Sequence, residues 1–307
     1  MMRIASSTSR TKGVKGSTTI SLKGKNWIYC SDIQSRDLIE LNKKTGIPLF
    51  ELKHALDTKE NPRIAEKQGY SIIILRDVYR TIKKKVTYPI EFIFTKNDMI
   101  TLVAESCPAV DDVFEEFRKK KLTKDFDFII YRITSEVIRD YEKALSKFDE
   151  EVDDLEDEVL EGKQEYAKRL VEIKKKILFI KKSISANKEV LNTIRDKKLK
   201  NLDFGEYIHD LHTEFDQINS TIDFLKDRLT FLTEIFVNSV SNRLNRTLKN
   251  LTVIASFFLP AMLISSVYGM NVLLPLGKHP EAFTILVVVM FISTILMFWY
   301  LKRKELT

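Results

Sequence analysis

The sequence predicts an α+β domain, then a stalk of long helices, then two C-terminal transmembrane helices. Three observations predict it. Strand and helix patterns alternate from Ser17 to about Phe117. Apolar residues then recur in steps of three and four from about Asp125 onward. Finally, residues 251–307 hold only six charges, Lys278, Glu281, Lys302, Arg303, Lys304 and Glu305, in a chain that is 30% charged. The averages, 44% hydrophobic with a net charge of +7 and a mean hydropathy of −0.15, describe an ordinary soluble protein. The split shows that they average a polar body and a membrane end.

The soluble part comes first. Residues 1–16 read as a flexible basic tail and 17–124 as the cytoplasmic α+β domain. Strand signals lie at Gly69–Tyr79, Val86–Thr95 and Met99–Ala104, with Lys96-Asn97-Asp98 as a turn. Helices are expected near 34–43, 47–56 and 110–121. No Gly-rich phosphate loop or nucleophile motif is present. The four His are scattered, and Cys30 and Cys107 are too few for a disulfide framework or a Cys-rich zinc fold. An enzyme and a catalytic cofactor are therefore not expected. The N-terminal stretch lacks an apolar h-region, so a cleaved signal peptide is not expected either.

Residues 125–246 read as the helical stalk. Leu145, Phe148, Val152, Leu155 and Val159 form one stripe, and Leu170, Ile173, Ile177, Ile180 and Ile184 a second. A third runs through Leu211, Phe215, Ile218, Ile222, Leu225, Leu229, Leu232 and Phe236. Such spacing predicts long packed helices or coiled coils. No Pro or Gly interrupts the third pattern between Gly205 and Pro260. One helix of about 90 Å, at ~1.5 Å per residue, is expected to run into the membrane. Acids crowd Phe148–Glu161, and lysines follow at 174–176, 181 and 182. Two readings of the acids stand, a cation-attracting surface and a solvated helix face. The lysines either neutralise them by antiparallel pairing or lie near anionic lipid heads. Nucleic acid is not an expected partner, because no aromatics interleave with the lysines.

The membrane end has two apolar stretches. Leu251–Val267 carries no charge, and neither does Ala282–Leu301. About 20 apolar residues span a bilayer core. The first span is placed at 247–271, an external loop at 272–281, the second span at 282–301 and a basic tail at 302–307. Arg243, Arg246 and Lys249 precede the first span, and Lys302, Arg303 and Lys304 follow the second. The positive-inside rule then puts both termini in the cytoplasm of a multi-pass cell-membrane protein. Trp299 and Tyr300 suit an interfacial anchor among membrane lipids.

The first span ends in Tyr268-Gly269-Met270-Asn271. Gly releases the backbone at a helix C-terminus. A single Asn there is a trivial site. A ring of Asn around a symmetric pore is an uncharged polar filter. It suits a cation that keeps its water, and Mg²⁺ dehydrates reluctantly.

Tyr-Gly-Met-Asn closing the penultimate membrane helix, with one span left before a basic C-terminus, resembles the CorA family of magnesium and cobalt channels. Ser239-Val-Ser-Asn242, Asn245, Leu251-Thr-Val-Ile-Ala255, Pro260, the Asp-Glu-Glu-Val-Asp-Asp-Leu-Glu helix and Asn61-Pro62-Arg63-Ile64 resemble it too.

The resemblance implies a homopentameric, funnel-shaped channel that passes Mg²⁺, Co²⁺ and Ni²⁺ passively. Gly269, Met270 and Asn271 would be its selectivity filter. Asn245, Leu248, Leu251, Thr252, Ala255, Leu259, Met262 and Ser266 recur at helical spacing on one face and would line the pore. Leu248, Leu251 and Leu259 match the family's hydrophobic gate, which stops ions by dewetting. Mg²⁺ would also be a regulatory ligand that closes the channel from the cytoplasm. Asp210 and Glu234 match the family's long-helix and inner-mouth carboxylates.

The sequence departs from the family at two places. Arg80-Thr-Ile-Lys-Lys-Lys85 stands where relatives often carry acids, which leaves the sensor without an obvious N-domain ligand. The loop after Asn271 holds only Glu281, beside Lys278, so it should gather cations weakly. Two alternatives stand beside the Mg²⁺ channel. One is a zinc or other transition-metal transporter of the same superfamily. The other is a membrane-tethered coiled-coil scaffold.

Overall fold

The computed structural model describes residues 17–22, 25–57, 59–78, 87–120, 125–160, 166–197, 204–271, 275 and 280–303. The basic tail, Arg80–Lys85, most of the loop after Asn271 and the last four residues lie outside them. The chain divides into two compact units, Met1–Leu232 and Thr233–Thr307.

The first unit contains a six-stranded sheet. Its strands are β1 (Ser17–Leu22), β2 (Lys25–Cys30), β3 (Arg63–Glu66), β4 (Ser71–Asp77), β5 (Tyr88–Phe94) and β6 (Asp98–Leu102). Their order across the sheet is β1-β2-β6-β5-β4-β3. Only the β2–β6 pair is parallel. Between β2 and β3 lie α1 (Ser35–Thr45), a one-turn α2 (Leu49–Leu52) and a 3-10 turn (Lys53–Leu56). Gly46 ends α1 in the left-handed conformation, φ 71°, with its N–H on the Asn42 carbonyl.

Both faces of β4, β5 and β6 are covered, so these three strands read as apolar runs instead of alternating. On one face Cys30, Ile72, Ile74, Ile93, Ile100 and Leu102 pack against Leu38, Leu41, Ile47, Leu52 and Ala55. On the other, Trp27 meets Phe114 and Phe117 edge-on, with ring centroids 4.9 and 5.7 Å apart. Both Phe belong to α3 (Pro108–Lys120).

Three long helices complete the unit: α4 (Phe126–Leu160), α5 (Tyr166–Lys197) and the first part of α6 (Tyr207–Tyr268). The first two predicted stripes, from Leu145 to Val159 and Leu170 to Ile184, are buried, and the third is buried from Leu211 to Leu232 and half-buried at Phe236. A buried polar knot docks α4 and α5 on β4. The Asn187 amide accepts from the Arg76 N–H at 2.9 Å and donates to the Arg76 carbonyl at 2.8 Å. The Tyr141 hydroxyl donates to the same carbonyl at 3.0 Å. The Arg76 guanidinium reaches the Thr87 hydroxyl and carbonyl.

The second unit holds the rest of α6 and α7 (Ala282–Arg303). Both helices are long and apolar enough to cross a membrane.

The three strongest strand signals match β4, β5 and β6. No comparable local signal marks β1, β2 or β3. Strand β3 is four residues long, and β1 and β2 carry Ser, Thr, Lys and Asn. Pairing partners, not local pattern, make them strands. The helix expected at 47–56 is a broken pair of single turns, started by Pro48.

Candidate functional site

The predicted site residues fall into two groups, one in each unit. In the second unit, α6 packs against α7 along a narrow strip. Phe257 stacks on Phe298 with ring centroids 5.8 Å apart. Val253, Ser256, Phe257, Pro260, Ala261 and Ile264 are half-buried along that strip. Asn245, Leu248, Leu251, Thr252, Ala255, Leu259, Met262 and Ser266 are all exposed. At 3.6 residues per turn they form one stripe on the face of α6 opposite Phe257. Met262 is 74% exposed and Leu259 62%. The Thr252 hydroxyl donates to the Leu248 carbonyl, which keeps one of the stripe's few polar groups on its own helix. Pro260 has no N–H, so it cannot bond the Ser256 carbonyl four residues back. The helix nevertheless runs through it.

The stripe ends where α6 ends. The Gly269 N–H still bonds the Ser265 carbonyl at 2.9 Å, and the Met270 N–H bonds Val267. A Cβ at position 269 would stand 3.2 Å from the Ser265 carbonyl oxygen. Met270 and Asn271 follow, both exposed. The Tyr268 hydroxyl reaches the Pro275 carbonyl at 3.4 Å. Beyond α7's apolar run, the Arg303 guanidinium lies over the Trp299 ring.

Asp210 sits in the first turn of α6 and is exposed, as is Glu234 far along the same helix. The structure does not bring these two together. Asp210 does have acidic neighbours that the sequence reading missed. Burial and the carboxylates of Glu142 and Asp210 raise the pKa of Glu214, against the pull of Arg139. Glu142 belongs to α4, and only the parallel packing of α4 beside α6 makes it a neighbour. His209 is exposed, whereas His212 is half-buried. Burial, with Arg195 and Lys188 nearby, lowers its pKa. Among the described residues no three His, Cys, Asp or Glu are close enough to hold a metal ion within one chain.

The dense acids of α4 divide by helix face. Asp149, Asp153 and Glu156 turn toward α6, where Arg228 contacts them at 2.6, 2.6 and 3.0 Å. Glu151 and Glu158 turn toward α5 and meet Lys176 and Arg169. From α5, Lys181 and Lys188 reach Asp223 and Asp216 of α6. Of the lysines singled out in the sequence, Lys176 thus pairs with an α4 acid and Lys181 with an acid of α6.

A soluble α+β domain, long packed helices and two C-terminal apolar helices define a membrane protein of the two-span, long-helix type. The profile of the CorA-like Mg²⁺ transporter protein family matches residues 23–303, and the chain belongs to that family. It is 27% identical to the cobalt/magnesium transport protein CorA of Methanocaldococcus jannaschii, over 91% of this chain and 90% of that one. It is also 27% identical to the protein of that name from Thermotoga maritima, over 91% and 82%. Among solved structures, the complete structure of the CorA magnesium transporter from M. jannaschii superposes with a TM-score of 0.80. The two are 25% identical over 92% of each chain. The family is one of transporters, not of enzymes.

Proposed function

We propose that this protein is a homopentameric membrane channel that conducts Mg²⁺, with Co²⁺ and Ni²⁺ as substitutes. The observation that carries the reading is the exposed stripe of α6. It runs from Asn245 to Ser266 on the face away from α7 and ends at Gly269-Met270-Asn271. The stripe differs from the other apolar faces of α6 and α7, which lipid can cover, in beginning and ending polar, at Asn245 and Asn271. Five copies facing a common axis would bury it. Their Asn271 side chains would form the polar ring, and Leu248, Leu251 and Leu259 an apolar constriction that closes by dewetting. Hydrophobic walls suit the task, since a charged ring would bind a divalent ion too tightly to release it. Both termini are placed in the cytoplasm, which carries the α+β domain, the stalk and the basic flanks. The inside-negative potential then drives a divalent ion inward by about 4.6 kcal/mol per 100 mV.

Closure by cytoplasmic Mg²⁺ is proposed to involve Asp210, with Glu214 beside it and a second ligand from a neighbouring copy. Glu234 would serve the inner mouth. Gly-Met-Asn favours Mg²⁺ over the zinc-transporting reading, because the filter of that branch differs.

The experiment is Mg²⁺ flux into proteoliposomes, with and without internal Mg²⁺, for the native chain and Asn271→Ala. Flux that is suppressed by internal Mg²⁺ and abolished in the variant supports the proposal. Undiminished flux in Asn271→Ala would sink the filter assignment.

A further inference from the structure

Subtracting the ion pairs within the three-helix stalk leaves two helix faces with nothing to pair with. On α4, Glu150, Asp154 and Asp157 are exposed, point away from both α5 and α6, and have no ion-pair partner among the described residues. On α5 the outward face holds Lys168, Lys175 and Lys182, likewise unpaired, around Val171, Leu178 and Phe179. Those three apolar side chains are 47%, 45% and 42% exposed. Glu172 sits at the margin of the α5 face and Lys147 at the end of the α4 face.

One surface is therefore acidic. The other is apolar with a basic rim, the layout of a protein interface. Their heights also agree. The Glu151–Lys176 and Glu158–Arg169 pairs fix the antiparallel register of α4 and α5. In that register Asp154 stands level with Ile173, between Val171 and Lys175. Copies related by rotation without translation along the axis must meet at equal height, and only such heterologous contacts close into rings. Surfaces at different heights would build an open helix instead.

We infer that the occupant of the α5 outward face is the acidic α4 face of a second copy of this chain, repeated around a closed ring. The inference rests on the proposed oligomer and supplies its lateral contact in the stalk. The α6 side of each three-helix bundle then remains free to face the axis. Phe224 and Phe231, 59% and 58% exposed, lie on α6 outside this contact.

The test is cysteine cross-linking of the full-length protein in detergent, with its mass measured in parallel by light scattering. Cys30 and Cys107 are both buried and stay in place. A chain carrying Asp154→Cys and Lys175→Cys should give a ladder of covalent multimers under mild oxidation. Each single variant alone should give none, and a mixture of the two should stop at dimers. With Lys168→Glu and Lys182→Glu added, cross-linking should fall about ten-fold at low salt. Reversing Glu150 and Asp157 to Lys in the same chain should restore it. No ladder from an assembly of ring mass would overturn the lateral contact and leave the channel reading standing. A monomeric mass would overturn both. Dimers from Asp154→Cys alone would reveal a two-fold contact and overturn the head-to-tail arrangement.

Discussion

The Asn187 side chain closes both backbone groups of Arg76, accepting from its N–H and donating to its carbonyl. The reason lies in the sheet. Arg76 pairs with Pro89 of β5 on one side, but its own N–H and C=O both point to the other. On the other side β3 ends at the Arg63–Ile74 pair and does not extend to Arg76. The end of β4 is thus an open strand buried under helices, and an amide from α5 stands in for the missing strand. Asn187→Leu should leave two buried backbone groups short of partners. The expected cost is on the order of 2–4 kcal/mol. Tyr141→Phe removes only one of two donors to that carbonyl and should cost about 1 kcal/mol. Thermal unfolding of the full chain checks both, and equal losses would contradict the strand-substitute role.

The setting of α6 against α7 predicts a pattern of solvent access. Cysteines placed at Leu251, Ala255, Leu259 and Met262 should react with a water-soluble thiol reagent from an open pore. Those at Val253, Phe257 and Ala261 should not, because they face α7. The buried native cysteines give a low background. Labelling of Phe257→Cys in preference to Leu259→Cys would mean that α6 is rotated by about half a turn.

Much of this was legible in the sequence, and the reasons are physical. Long helices advertise themselves, since a stripe such as Leu211 to Leu232 repeats over many turns. Charge depletion marks the membrane end just as clearly. What stayed hidden depends on tertiary pairing. Strand β3, only Arg63–Glu66, is defined by hydrogen bonds to β4. Glu142 becomes a neighbour of Glu214 only when α4 and α6 lie together. The acids of α4 looked like one cluster in sequence. Packing sorts them into a face held by Arg228, a face held by α5 and an unpaired face. No local pattern distinguishes these.

Arg228 touches three carboxylates at 2.6 to 3.0 Å, yet its partners are half-exposed or more. Solvent screening reduces such contacts to about 1 kcal/mol or less. Arg228→Met should therefore lower stability slightly at low salt and almost not at all in 1 M salt, where the Debye length is about 3 Å. Thermal midpoints at two salt concentrations decide it. A large, salt-independent loss would show that the aliphatic stem matters more than the charge.

Glu91 predicts a pH dependence. It lies on β5 facing the 3-10 turn, 1% exposed, and neither carboxylate oxygen makes a well-formed hydrogen bond. Burial, with Glu51 and Glu60 nearby, pushes its pKa up to about 8 against the pull of Arg63 and the Ala55 amide. In the unfolded chain a Glu titrates near ~4.3. Between those values the unfolded state gives up its proton first, so raising pH costs the folded state stability. The loss approaches ~1.4 kcal/mol per pH unit before any relaxation. Glu91→Gln should flatten the thermal midpoint between pH 5 and 8 and gain most over the native chain at the alkaline end. Parallel pH profiles for the two proteins would show that Glu91 is not buried as a neutral acid.

Gly269 closes α6 where a side chain has little room. A Cβ would approach the Ser265 carbonyl oxygen to 3.2 Å, and that carbonyl is already the acceptor of the Gly269 N–H. Relieving the contact means shifting the last turn by a few tenths of an ångström and carrying Met270 and Asn271 with it. The proposed filter would hold its ion through such side chains, and a binding constellation tolerates little displacement. Gly269→Ala should therefore assemble and fold as the native chain does, with an unchanged thermal midpoint, but conduct Mg²⁺ at least about ten-fold more slowly. Met270→Leu, which keeps the backbone and a side chain of similar volume, should retain most of the flux. If Gly269→Ala conducts normally, the backbone at the end of α6 has slack. Selection would then rest on the Asn271 side chain alone.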